Sequence, residues 1–137
     1  MKDGKITLQR AIKCYKPCRL ETTDSRYAAS QRFKSKYGFN FEEIWSLDCE
    51  FAYFILVRLV YYREVSTGMP GSFLTGVDKY GTPKENKGDF QRWQTVLDKM
   101  IRGFFLYLTI SFPDKKQQKI INKGMQLFQK HWMQLWD

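Results

Sequence analysis

Histidine occurs once in this chain, proline four times and cysteine three times, and each scarcity removes a class of protein. With His131 as the single imidazole there is no His-Glu-x-x-His helix, and the chain also lacks a Gly-x-Ser-x-Gly elbow and a Gly-x-x-x-x-Gly-Lys-Ser/Thr phosphate loop. No catalytic residue is assigned. A Cys49–His131 nucleophile pair is the nearest approach to one, and Cys49, beside Asp48 in an aromatic-rich stretch, is better read as a packed thiol. An odd set of thiols, Cys14, Cys18 and Cys49, does not make a disulfide framework. With His131 they could form a Cys3His zinc site only by arithmetic, and small buried thiols are the simpler reading, so no metal or cofactor is expected. The longest apolar run, Phe51 to Tyr62, is interrupted by Arg58, and it is far short of the roughly 20 apolar residues that cross a bilayer. It predicts a buried helix and no membrane partner. No apolar leader core follows Met-Lys-Asp-Gly, which makes the cytoplasm the expected compartment. Nine glycines and four prolines against 17% aromatic residues exclude collagen-like and disordered chains.

What the chain has is positive charge and helical periodicity. A length of 137 residues suits one domain with a core of its own. Twenty-three Lys and Arg against fourteen Asp and Glu leave a net charge of +9. The surplus is uneven: residues 1–37 hold ten basic and three acidic side chains, whereas residues 38–137 hold thirteen and eleven. The expected architecture is therefore all-α: a single-domain helical bundle with a basic N-terminal segment over residues 1–37.

Ile6, Leu8, Ala11, Ile12 and Tyr15 predict a short first helix ended by Pro17. A second is expected to start at Thr23 or Asp24 and to stop at Gly38, a natural left-handed cap. Asn40 and Glu43 have capping-box spacing, and a helix over 40–65 should bury Ile44, Leu47, Phe51, Ile55, Leu59 and Tyr62. Residues 66–88 hold five of the nine glycines and predict the one long loop, with Phe73, Leu74, Val77 and Tyr80 available to pin it or to form a hairpin about Gly76 or Gly81. Asp89 should cap a helix over 89–109, whose Phe90, Trp93, Leu97, Met100, Ile101, Phe104 and Leu108 keep helical spacing. Pro113 and Asp114 open a last helix, 114–136, with Ile120, Ile121, Gly124, Leu127, Phe128, Trp132 and Leu135 on its apolar face. Trp132 and Trp136 either pack within the chain or bridge a homo-oligomer.

Asp48 and Arg58 fall on or beside the apolar stripe of the 40–65 helix, about 15 Å apart along its axis, too far to pair with each other. Either each is buried with a separate partner, such as an N-terminal arginine or Asp98, or Arg58 opens into a pocket and holds a phosphate in its planar fork.

The segments IWSLDCEFAYFILVRL (44–59), WQTVLDKMIRGFFL (93–106) and GMQLFQKHWMQLWD (124–137), in this order, resemble a family of small proteins encoded in bacteriophage and prophage genomes. The likeness runs from about Leu20 onward. It implies a phage origin and the cytoplasm of an infected or lysogenic bacterium, and it carries over no activity and no functional residue.

The N-terminal Lys and Arg alternate with Tyr15, Tyr27, Phe33 and Tyr37, and cations beside stacking rings are the chemistry of nucleotide and single-strand nucleic-acid sites. The expectation is a non-enzymatic phage protein that binds a phosphate-bearing ligand, such as a host nucleotide signal used in antiviral defence. Arg19, Arg26, Arg32 and Arg58 would hold phosphates, Tyr27, Trp45 or Tyr62 would stack, and the 66–88 loop would close as a lid. The alternatives are a DNA- or RNA-binding accessory protein and a protein that inhibits a host enzyme.

Overall fold

The computed structural model describes residues 4–136, so Lys2 of the basic count and the terminal Asp137 lie outside the described residues. The chain is mostly helical: α1 Leu8–Lys13, α2 Tyr27–Tyr37, α3 Leu47–Val65, α4 Asp89–Thr109 and α5 Lys115–Lys130, with one two-stranded ribbon of β1 Gly76–Val77 and β2 Pro83–Lys84. No helix among the described residues is long and apolar enough to cross a membrane.

α4 is the central helix, packed against α3 on one side and α5 on the other. Its sequence has one apolar face, and that face is the one buried: Trp93, Leu97, Met100, Ile101 and Phe104 are all at or near zero exposure. The contact with α5 is close enough to exclude side chains. A Cβ built on Gly103 would lie 2.8 Å from the Gly124 Cα, and one on Gly124 would lie 2.8 Å from the Gly103 Cα. Around this crossing Ile121 and Leu127 of α5 complete the buried surface.

Several boundaries shift from the sequence expectation. α2 begins at Tyr27, because the Asp24 carboxylate is committed to the Arg26 backbone N–H and guanidinium; α2 ends at Gly38 in the left-handed region (φ 87°), as expected. Asn40 opens a 3-10 turn over Phe41–Ile44, with its N–H donated to Glu43 Oε2 (2.7 Å), and α3 proper starts only at Leu47. α5 is capped by Asp114, which accepts from the Gln117 N–H (2.7 Å), but it stops at Lys130 and a 3-10 turn follows over Trp132–Gln134.

Asp89 makes the main polar tie to the long loop. Asp89 is the first residue of α4 and not its cap, a place taken by Gly88 (φ 90°). Its buried carboxylate accepts from the Thr75 N–H and hydroxyl, from the Asn86 N–H and from Arg92, which joins both ends of the hairpin to the helix. These bonds, led by the one from Asn86, outweigh burial and hold the Asp89 carboxyl down at about 2. The turn uses Gly81 (φ 78°), one of the two expected positions. Phe73 is buried and pins the loop, while Val77 and Tyr80 are exposed and do not.

Alanine is a better helix former than glycine by about 1 kcal/mol in open helix. At Gly103 and at Gly124 the substitution should instead destabilise by about 1–3 kcal/mol, the cost of overpacking a tight crossing. Urea unfolding of Gly103→Ala and Gly124→Ala measures this, and a stabilised variant would contradict the close approach of α4 and α5.

Candidate binding face on α3

Acids supplied by the body hold part of the basic N-terminal segment in place, Arg19 among it. Glu42, on the 3-10 turn, is almost fully buried and accepts from Ser30 Oγ (2.5 Å) and the Leu20 N–H (3.2 Å), and Asn40 Nδ2 donates to the same serine oxygen (2.9 Å). Glu50, at the start of α3, accepts from the Cys18 N–H at 2.6 Å. Arg19 lies between Glu50 (3.3 Å) and Glu43 (3.4 Å) and donates to the Cys18 carbonyl. Two buried carboxylates thus fasten residues 18–30 to the body. Burial by itself would raise the Glu42 carboxyl, but the Ser30 hydroxyl and the Glu42 and Leu20 amides outweigh it and leave it below its ordinary 4.5.

The other predicted ligands are scattered. Arg26 makes a two-point pair with Asp24 (3.0 and 3.1 Å), which lowers that carboxyl to about 2, and its guanidinium lies 5.1 Å from the Trp45 ring centre. Arg32 is exposed on α2 and Tyr27 half-buried at its start, and neither lines the clefts described below. Tyr62 donates to the Trp136 carbonyl (3.3 Å). The structure brings Arg19 to Arg58, and Arg58 to Tyr62, but it does not gather all seven residues.

Of the two readings of Asp48 and Arg58, separate burial is the one the structure overturns, because α3 is rotated from the orientation its periodicity suggests. The inward face is Ala52, Leu56, Leu59, Val60 and Arg63. Of the expected stripe Leu59 is buried, but Ile44, Leu47 and Phe51 are exposed, with Phe51 at 61%. Asp48 is exposed and accepts from the Tyr107 hydroxyl, which holds its carboxyl below the usual range and pushes the phenol up to about 12. The buried arginine is Arg63, which the sequence analysis missed. It donates to Asp98 Oδ1 (2.7 Å) and to the Ile6 carbonyl (2.7 Å), so Asp98 serves Arg63 and not Arg58. The missed signal was its place one helical turn beyond Leu59 and Val60.

Arg58 points outward. Its guanidinium carbon lies 3.5 Å from the centre of the Phe54 ring, and Nη1 donates to the Phe54 carbonyl (3.2 Å). Among the described residues no carboxylate lies within ion-pair distance of it. Three clefts among the described residues meet at this side chain, one toward Leu8 and Ile12 of α1 and two that share Phe51 and Phe54. One of these two, of about 590 Å³, is closed by Arg19, Phe39, Glu43, Glu50 and Tyr53. The other, of about 510 Å³, is walled by Tyr62, Phe128, Trp132 and Leu135. Both are walled by aromatic rings; the first also carries the charged groups Arg19, Glu43 and Glu50, whereas Arg58 is, among the described residues, the one charged residue of the second.

The remaining candidates stay apart. His131 packs at an angle against Phe73 and edge-on against Trp93, and its Nδ1 is 2.6 Å from Gln134 Oε1. Cys49 is pushed up first by burial and then by Asp48, the wrong direction for a thiolate nucleophile. No group of three or more His, Cys, Asp and Glu among the described residues is placed to hold a metal ion. The 66–88 loop contributes Gly68 to Gly71 to a small cavity beside Tyr62 and Trp136, while Asp89 holds the rest of it.

No protein family, no curated protein and no solved structure matches this chain. The site itself carries the functional argument.

Because the folded Glu42 carboxyl is lower than the unfolded one, its contribution to stability is complete above the ordinary carboxylate range and is lost as pH falls through the folded value. Asp89 acts in the same sense, from 3.8 down to about 2. The urea midpoint should therefore fall steeply below pH 4.5, and Glu42→Gln should flatten that fall while costing about 1–3 kcal/mol near neutrality for the buried bonds it weakens.

Proposed function

We propose that this chain is a non-enzymatic binding protein that occupies another protein through the outer face of α3. The observation that carries this reading is the row of large apolar side chains left in solvent there, Leu47, Phe51, Phe54, Tyr61 and Val65, with Arg58 among them and Ile44 of the preceding turn beside them. Isolated exposed apolar residues are ordinary, but contiguous patches mark interaction surfaces. A phage or prophage origin, which the sequence resemblance suggests, would make this a small inhibitor of a host protein. The net charge of +9 favours an acidic target.

One observation favours a second reading. Arg58 has no carboxylate partner among the described residues and stands at a 590 Å³ cleft lined by aromatic rings and by Arg19 with its partners Glu43 and Glu50, a size that suits a nucleotide with one phosphate on Arg58. A polyphosphate fits this cleft less well, since Arg19 is already paired with Glu43 and Glu50.

Capture from bacterial lysate separates the readings. Wild type should retain a protein partner in near-equal amount with or without nuclease, Phe51→Asp should lose it, and Phe112→Asp, at an exposed position between α4 and α5, should keep it. Capture that disappears with nuclease supports nucleic acid instead. Calorimetric binding of cyclic or linear nucleotides that is abolished by Arg58→Ala supports the second reading.

A further inference from the structure

Along the outer side of α3 the exposed residues recur with the spacing of a helix-pairing seam. Leu47, Phe51, Phe54, Arg58, Tyr61 and Val65 are separated by four, three, four, three and four positions, and all six are exposed. At 100° per residue they fall within a sector of about 80°, nearly opposite the inward-facing residues. This is the alternation by which the side chains of one helix fit the holes of another. The seam spans the whole of α3, about 27 Å or five turns. Its three exposed rings, Phe51, Phe54 and Tyr61, adjoin the exposed Trp132, which shares a cleft with the first two, so the apolar surface extends beyond the helix itself.

We infer that the occupant is an acidic amphipathic helix of another protein, laid along this seam with a carboxylate on Arg58. The inference rests on the protein-docking reading above and specifies its partner. Arg58 decides the chemistry. It sits at the centre of an otherwise apolar seam, so any helix that covers the seam removes a guanidinium from water, and leaving it unpaired there is strongly unfavourable. A carboxylate at the middle of the incoming helix supplies the pair, and the fork geometry of arginine suits it. A second copy paired in full register supplies none from its seam, since Asp48 and Glu64 lie beside the seam's two ends. Set parallel, two copies would place Arg58 against Arg58; set antiparallel, the four-three spacing places Arg58 opposite Phe54 of the other copy, with no acid for either guanidinium. Two chains of net charge +9 also repel each other, whereas an acidic helix is attracted. A nucleic-acid strand needs a row of cations, and this seam holds one.

The test uses two designed 21-residue helical peptides with leucine at the seam positions, identical except for Glu or Lys at the central position, and fluorescence anisotropy against the full chain. The Glu peptide should bind at least about tenfold tighter than the Lys peptide, Arg58→Glu should reverse that order, and Arg58→Gln should abolish the preference without reversing it. Phe51→Asp should lose both peptides and Phe112→Asp neither; all the altered side chains are exposed, so circular dichroism should report an unchanged fold. Equal affinity for the two peptides, or no saturable binding of either, overturns the acidic-helix proposal. If Phe51→Asp then still loses the lysate partner, the docking face stands and only its assigned occupant falls. Peptides that bind wild type and Phe51→Asp alike overturn the face itself. A wild-type dimer in light scattering that Phe51→Asp converts to monomer assigns the seam to a second copy and overturns the proposal as well.

Discussion

Arg63 is taken out of water near the C-terminal end of α3, and its guanidinium is tolerable there because Asp98 of α4 and the carbonyl of Ile6 both accept from it. A buried ion of this kind adds little net stability, but an arrangement that leaves it unpaired is costly. The pair therefore acts as a constraint on rotation. α3 can bury Ala52, Leu56, Leu59 and Val60 against α4 only in the orientation that also brings Arg63 to Asp98, and that orientation turns Phe51, Phe54 and Tyr61 outward. The exposed seam is the other side of a requirement met inside.

The same logic governs the N-terminal charge. Taken alone, ten basic residues in the first 37 look like an electropositive surface. In the folded chain Glu42, Glu43 and Glu50 are turned toward that segment: they fasten the backbone at Cys18 and Leu20 and neutralise Arg19, while Asp24 takes Arg26. The arginines that remain useful for recognition are decided by these pairings and not by their number. Arg58, outside the basic third, stands at the junction of the clefts.

Legibility in the sequence followed the number of apolar faces a segment carries. α4 has one, so its limits, Asp89 to Thr109, and nearly its whole buried set could be read from spacing. The end of α2 at Gly38 and the start of α5 at Asp114 could be read because caps are local chemistry between neighbours in the chain. α3 is apolar almost all round between Phe51 and Tyr62, and periodicity could not choose between its faces. Hence Arg58, expected on or beside the buried stripe, is exposed, and Arg63 was overlooked. The α4–α5 contact was half visible: Gly124 was expected on the apolar face, but nothing local shows that Gly103 lies against it.

By itself the sequence determined the class of the fold, the positions of its long helices and the basic balance of the chain, since propensity, capping and composition act over a few residues. Only the tertiary structure decided which face of α3 is buried, which cations are already matched and where the clefts lie. Those outcomes depend on partners 20 to 60 positions away in sequence, such as Glu42 with Leu20 or Arg63 with Ile6. The free energy of a buried charge is settled by what faces it across the core, which no local pattern contains.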